Sequence, residues 1–313
     1  MDEMQFMLDN KNKSINKGDK QHITTGKIKI KENINIFKCP VCGDRMNLDD
    51  FKSIICINKH CFDISKKGYV NLLLNAGKSQ YDKEMFESRK IICNMGFFDP
   101  MLDIIAGIIN KNISEFNSSK IKILDAGCGE GFHLSRLISR LYKESKLALQ
   151  GIGIDISKEA IQIAAKNYKD IIWGVADLSR IPFMDKQFDV ILNILSPSNY
   201  GEFERIMCNE GILIKIVPGS NYLKELRKVF YKKTKKETYS SDRVIEHFRN
   251  NFNLIDIQNV QYNVQLSKDK LRHLIKMTPL SWGAEDDKIQ KVYNEDIDCI
   301  TADFNIMIGN KKL

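Results

Sequence analysis

The chain has 313 residues, 43% of them hydrophobic, with 48 Lys and Arg against 40 Asp and Glu, enough to bury one large domain and a smaller one. No apolar run reaches the roughly 18–20 residues that cross a bilayer, and the N-terminus lacks the basic-then-apolar layout of a signal peptide. A cytoplasmic protein without a membrane partner is therefore expected, its eight cysteines reduced thiols or metal ligands rather than a disulfide framework. The net charge of +8 permits a polyanionic partner.

Residues 1–36 are polar, lack sustained periodicity and read as a flexible lead, with room for a short strand at GKIKIKENINIF. Residues 37–78 hold four crowded cysteines and too few apolar side chains for a core of their own. Helical spacing follows on both sides of the Gly-Phe-Phe-Asp-Pro break at 96–100. Strand-like runs then fall at 121–126, 151–156, 171–176, 188–195 and 211–218, alternating with helix-like stretches near 132–142, 158–167, 199–208 and 221–231. Most of these strands are apolar throughout, as in a parallel sheet covered on both faces. Two later runs, FNLIDIQNVQYNV and DFNIMIGN, alternate more and suit one edge of the sheet. The expected architecture is α/β, with residues 79–313 forming the larger domain.

The crowded cysteines have ligand spacing: Cys39-x2-Cys42, thirteen residues, then Cys56-x3-His60. Two close pairs separated by a strand-sized insert close a tetrahedron around Zn2+, which supplies the folding free energy that a small core lacks. Cys61 stands beside His60 and competes for the fourth place, with His60 the favoured ligand. Four ligands leave no open position, so the metal is structural, one ion per chain.

Downstream, LDAGCGEGFH follows a strand and opens a helix. It lacks the Gly-Lys-Ser/Thr ending of a phosphate loop, and Gly127, Gly129 and Gly131 are not spaced as in a dinucleotide fingerprint. Asp125 precedes the glycines, Asp155 ends the next strand and Asp177, beside Leu178, ends the third. Three carboxyl groups at the carboxyl ends of adjacent strands suit the ribose, adenine amino group and sulfonium of S-adenosylmethionine better than a pyrophosphate. Each acid taken singly is also an ordinary strand-end turn former. Beyond the fourth strand, NILSPSNY lies where an acceptor is presented: Asn193 and Ser196 are candidate catalytic residues, Asn193 also a cofactor contact, and Pro197 frames the acceptor. No general base is evident.

Between 224 and 236 the chain carries seven Lys or Arg against one Glu, among them Lys232, Lys233, Lys235 and Lys236. This is either a solvated helix face or a grip on an RNA backbone. Trp282 is either a core residue or a stacking platform for a base.

The order of zinc knot, KKGYVNLL, GFFDPM, LDAGCGEGFH, ILSPSNYGEFERI, VPGSNYLKEL and MTPLSWGA…DFNIMIG resembles the ribosomal RNA large-subunit methyltransferase A family over residues 37–313. The zinc knot and the MTPLSWGA segment are its more specific parts. The resemblance implies a class I, Rossmann-like S-adenosylmethionine-dependent methyltransferase domain behind a small zinc-binding module; Lys52, Lys59, Lys66 and Lys67 add positive charge around that module, which would then be an RNA-docking unit. The implied reaction is methylation of guanine N1 in a 23S rRNA hairpin loop. Cys39, Cys42, Cys56 and His60 would hold the zinc, and Glu130, Phe132 and His133 would join the glycines at the cofactor. Phe98 and Tyr222 match further cofactor neighbours, though both read equally well as core aromatics. Departures are the 36-residue lead, the extra Cys61, and Phe98 where some relatives carry a hydroxylated ring. A methyltransferase for another RNA or a small molecule, and an inactive zinc-bearing RNA-binding protein, are the alternative readings. A homodimer that forms the cleft is left open.

Overall fold

In the computed structural model, which describes residues 23–74, 83–113, 120–144, 148–234, 237–282, 286–295 and 297–312, the first described element is a helix. Where a strand was expected, α1 spans Thr25–Glu32 and a 3-10 turn covers Ile34–Ile36. The Lys-Ile alternation would place Ile28 and Ile30 on one strand face; in the helix they part, Ile30 buried and Ile28 41% exposed. Packing overrides the local pattern, because Gly26 lies directly on the backbone of Gly68, where no side chain would fit.

Three short antiparallel strands follow: β1 (Met46–Asp49), β2 (Ser53–Cys56) and β3 (Cys61–Asp63). Asp50 and Phe51, both at positive φ, make the tight turn between the first two. Cys39, Met46, Ile54 and Cys56 are buried in the same cluster as Leu124 and Phe183 of the larger domain. This ribbon therefore folds onto the larger domain rather than around a separate core, and the Phe37 ring meets that of Phe183 at 5.6 Å.

The main sheet contains β4 (Tyr69–Asn71), β5 (Lys120–Ala126), β6 (Ala148–Asp155), β7 (Ile172–Val175), β8 (Phe188–Ile194), β9 (Met207–Pro218), β10 (Asn253–Gln265) and β11 (Cys299–Asn310). Their spatial order is β10-β11-β9-β8-β5-β6-β7-β4. Pairing is parallel from β4 to β9, and antiparallel where β11 joins β9 and β10 joins β11. All seven runs read as strands are present, and every residue of β8 is buried. β4 is an addition: the GYVN stretch pairs with β7, so the segment after the zinc knot belongs to the main sheet.

Helices α2 (Lys83–Asn94) and α3 (Asp99–Asn112) flank the Gly-Phe-Phe-Asp-Pro break, with Pro100 in the first turn of α3, where its missing N–H costs nothing. Then come α4 (Phe132–Glu144), α5 (Lys158–Asn167), α6 (Tyr200–Ile206), α7 (Lys224–Phe230), α8 (Asp242–Asn251), α9 (Lys268–Met277) and α10 (Asp286–Asn294). Side chains of Ser157, Asn199 and Ser267 cap α5, α6 and α9 by accepting amides that would otherwise lack partners. Chain order reverses at β5, which lies between β6 and β8, and the carboxyl ends of β5 and β8 open the crevice where such sheets bind ligands. Among the described residues no single helix is long and apolar enough to cross a membrane.

Candidate functional site

The ligand atoms of Cys39, Cys42, Cys56 and His60 all lie within 4.8 Å of one another. His60 Nδ1 stands 3.3 Å from Cys56 Sγ and 3.6 Å from Cys39 Sγ, and Cys42 Sγ is 3.6 Å from Cys56 Sγ. Gly43 at φ +83° makes the turn after the first pair, its amide donating to the Cys39 carbonyl at 2.9 Å. The Asn58 side chain, then the Asp44 amide, draws the Cys42 thiol down to about 7, the direction that a thiolate ligand needs. Three sulfurs and an imidazole at this spacing fit one tetrahedral Zn2+. Cys61 is excluded by strand geometry. It opens β3 opposite Ile55, exposed and facing away from the cluster.

At the end of β5 the chain turns through Gly127 at φ +86° and Gly131 at φ +82°. A side chain on Gly127 would run into Ser196, and one on Gly131 into the Trp173 ring. Asp155 ties the loop down: its Oδ2 accepts the Gly129 amide at 2.8 Å and its Oδ1 the Ser157 amide at 2.8 Å. Burial raises Asp155 despite these two amides. Asp125 is 1% exposed, and burial pushes it up to about 7 against the pull of Arg89.

A cavity of about 690 Å³ opens beside this loop. Gly127, Gly129 and Asp155 line it together with Ser196, Pro197, Trp282, Phe98 and Tyr222. Asp177 and Leu178 lie in an adjoining hollow of about 490 Å³ that shares Pro197, Ser198, Tyr200 and His247 with the first. Glu130, Phe132 and His133 are buried behind the wall instead of lining it. The Phe98 and His133 rings meet edge-on at 4.7 Å, which places His133 one layer back.

Asn193 does not reach the cavity. Its Nδ2 donates to the carbonyls of Ala126 (2.8 Å) and Pro197 (2.9 Å), while Oδ1 accepts from Ser198 Oγ (3.2 Å) and Lys215 Nζ (2.6 Å). All four of its hydrogen-bonding positions are occupied, which corrects its reading as a catalytic or cofactor contact. It fixes the 194–198 loop against β5 and β9. Lys232 and Lys233 are exposed beyond α7; Lys235 and Lys236 lie outside the described residues.

Two residues were missed. Arg89 of α2 lines the cavity over Gly129, its Nε 3.1 Å from Glu130 Oε1. Burial pulls this guanidinium down, but Glu130, then Cys93, Asp155 and Asp125, more than offset it. Lys215, in β9, is 4% exposed and lines the same cavity. The signal for Lys215 was present: a lysine interrupts the otherwise apolar run GILIKIVP.

Asp125 Oδ1 and His133 Nε2 are buried without a hydrogen-bond partner among the described residues. Neither atom lines the cavity; there the Asp155 carboxyl, beside a loop that must stay free of side chains, fits an adenosyl sulfonium, which brings hydroxyl donors and a positive charge. A family model described as a methyltransferase domain matches residues 117–307, and one described as "RlmA, N-terminal", a zinc ribbon, matches residues 37–79. The chain is 43% identical over 279 residues to YxjB of Bacillus subtilis (strain 168), provisionally named a 23S rRNA (guanine-N(1)-)-methyltransferase, covering 88% of this chain and 98% of YxjB. The chain belongs to the RlmA family. The 23S rRNA (guanine(748)-N(1))-methyltransferase of Streptomyces fradiae is 26% identical over 260 residues, 82% of this chain and 90% of its own. The solved structure of the YcgJ protein from Bacillus subtilis covers 66% of this chain and 98% of its own at 14% identity, with a TM-score of 0.46. As an RlmA-family methyltransferase the protein uses S-adenosylmethionine, which supplies an electrophilic methyl group on a sulfonium sulfur, and carries one structural Zn2+ on Cys39, Cys42, Cys56 and His60.

Proposed function

We propose that the protein methylates N1 of a guanine in a hairpin loop of 23S rRNA, in the cytoplasm. The observation that carries this reading is one cavity whose walls join Gly127, Gly129 and Asp155 to Ser196, Pro197 and Trp282. A donor held by the glycine loop and a base resting on Pro197 and Trp282 would meet within it.

In this reading Asp155 accepts the ribose hydroxyls with the lone pairs that its two amide bonds leave free. Asp177 and Leu178 hold the adenine in the adjoining hollow, while Phe98 and Tyr222 flank the donor. A guanine must leave its stack to enter, and Trp282, 40% exposed at the cavity wall, offers an aromatic face. The lysines at 232, 233, 235 and 236 and the zinc ribbon grip the hairpin backbone, since sequence in RNA is read from unpaired loops.

Mass mapping of 23S rRNA from cells with and without the gene tests the proposal. One hairpin fragment should lose about 14 mass units, the difference of one CH2, on deletion, and reverse transcription should no longer stop there. Identical maps would overturn it.

A further inference from the structure

We propose that Lys215 is the base that takes the N1 proton of the target guanine. This rests on the function proposed above. Guanine N1 is protonated near neutral pH, so the proton must leave as the methyl group arrives. None of the residues expected to be catalytic can take it. Asn193 has no free position, and no base stands beside the Ser196 hydroxyl among the described residues of its loop.

Lys215 has both the place and the bonding pattern. Its Nζ donates to Asn193 Oδ1 at 2.6 Å and to the Ser196 carbonyl at 3.1 Å. A neutral amine has two hydrogens and one lone pair. Both acceptors are satisfied by the hydrogens, which leaves the lone pair as the remaining direction, on a side chain that lines the cavity. Ser196, held by this contact, abuts Gly127 so closely that no side chain fits between them. The amine is therefore one residue removed from the loop assigned to the methyl donor.

The surroundings favour the neutral form. Lys215 pairs in register with Asn193 on β8 and Met307 on β11, both uncharged. The titratable groups that share the cavity wall are Arg89, Asp155, Tyr200, Tyr222, Arg243 and His247. Burial, rather than any of these charges, lowers the ammonium to about 8. About one molecule in ten is then ready as a base at pH 7, and about half at pH 8.

The step balances. The N1–H electron pair forms the new N1–C bond, and the proton passes to the Nζ lone pair. The broken S–C bond leaves its electrons on sulfur. A neutral guanine, a neutral amine and a sulfonium become a methylated guanine, an ammonium and a neutral thioether. Water in the cavity then returns Lys215 to its neutral form.

The test is single-turnover methylation of an unmodified 23S rRNA hairpin transcript by the full-length zinc-loaded protein, between pH 6 and 10. The wild-type rate should climb with pH and level near 8. Lys215→Met should be at least about a hundredfold slower at pH 8, a general-base loss. Its rate should keep rising past 8, tenfold per pH unit until the guanine itself ionises, while calorimetry shows S-adenosylmethionine affinity changed less than about threefold. Lys215→Arg should behave likewise, because a guanidinium keeps its proton; if the methionine variant melts early, the arginine variant carries the test. A wild-type rate in Lys215→Arg, or an unshifted plateau in either variant, would overturn the assignment. So would loss of the plateau in His247→Ala alone. A wild-type protein that methylates no such RNA would refute the proposed function itself, which separates the two failures.

Discussion

Asp155 and Gly129 are joined by a hydrogen bond of 2.8 Å from the glycine amide to the carboxylate, so one acid both shapes the glycine loop and faces the cavity beside it. Asp155→Ala should lower S-adenosylmethionine affinity by at least about tenfold, since a hydrogen bond to a charged group is worth roughly 1.5–3 kcal/mol. Asp155→Asn, which keeps one acceptor oxygen, should fall between. Isothermal calorimetry reads both, and an unchanged affinity in the alanine variant removes the ribose assignment.

Asp125 sets a pH dependence. Burial pushes it up to about 7, well above the usual carboxyl value of about 3.9, so the folded protein holds a proton that the unfolded chain releases. Stability is therefore lost as pH rises from about 4 to about 7, and is flat above. Asp125→Asn should reduce this slope, to which the raised Glu130 and Asp155 also contribute, by a few kcal/mol between pH 4 and pH 8. Denaturant midpoints across that range measure it; a slope equal to wild type would contradict it.

Zinc content should be one ion per chain and unchanged in Cys61→Ser, which lies outside the ligand cluster. Cys39→Ser or His60→Ala should lose the ion. Either should also lower the melting temperature of the whole chain, because Cys39 and Cys56 share a core with Phe183. A ribbon that unfolds with no change in the main transition would contradict this packing.

Replacing Lys232, Lys233, Lys235 and Lys236 by Gln should weaken hairpin binding and reduce the slope of log affinity against log salt. The reduction should be roughly one unit per lost phosphate contact. An unaltered slope would make the stretch a solvated face. Trp282→Ala should raise KM for the hairpin about tenfold, the worth of a stacked base, with cofactor affinity unaffected. Weakened cofactor binding instead would place the indole on the donor.

The sheet and the glycine loop were legible because their signals are local: apolar runs at strand length, and glycines where no side chain fits. The zinc ligands were legible for the same reason, and the choice of His60 over Cys61 follows from alternation along β3. Asn193, Arg89 and Lys215 needed the fold. The polar tip of Asn193 reads as a ligand contact until Lys215, 22 residues away, occupies its oxygen. Arg89 resembles any helix charge until α2 lies over Gly129. The alternation at 26–32 misled because a helix serves it equally once one isoleucine faces the core and another the solvent.

β4 has only three residues, yet it is the outermost strand of the sheet and pairs with β7. It leads directly out of the metal-held ribbon, so losing the ion would loosen β4 and strip a row of amides and carbonyls along Ile172–Val175 bare. Such a row invites another chain to zip on. Metal starvation would thus surface first as clumped protein.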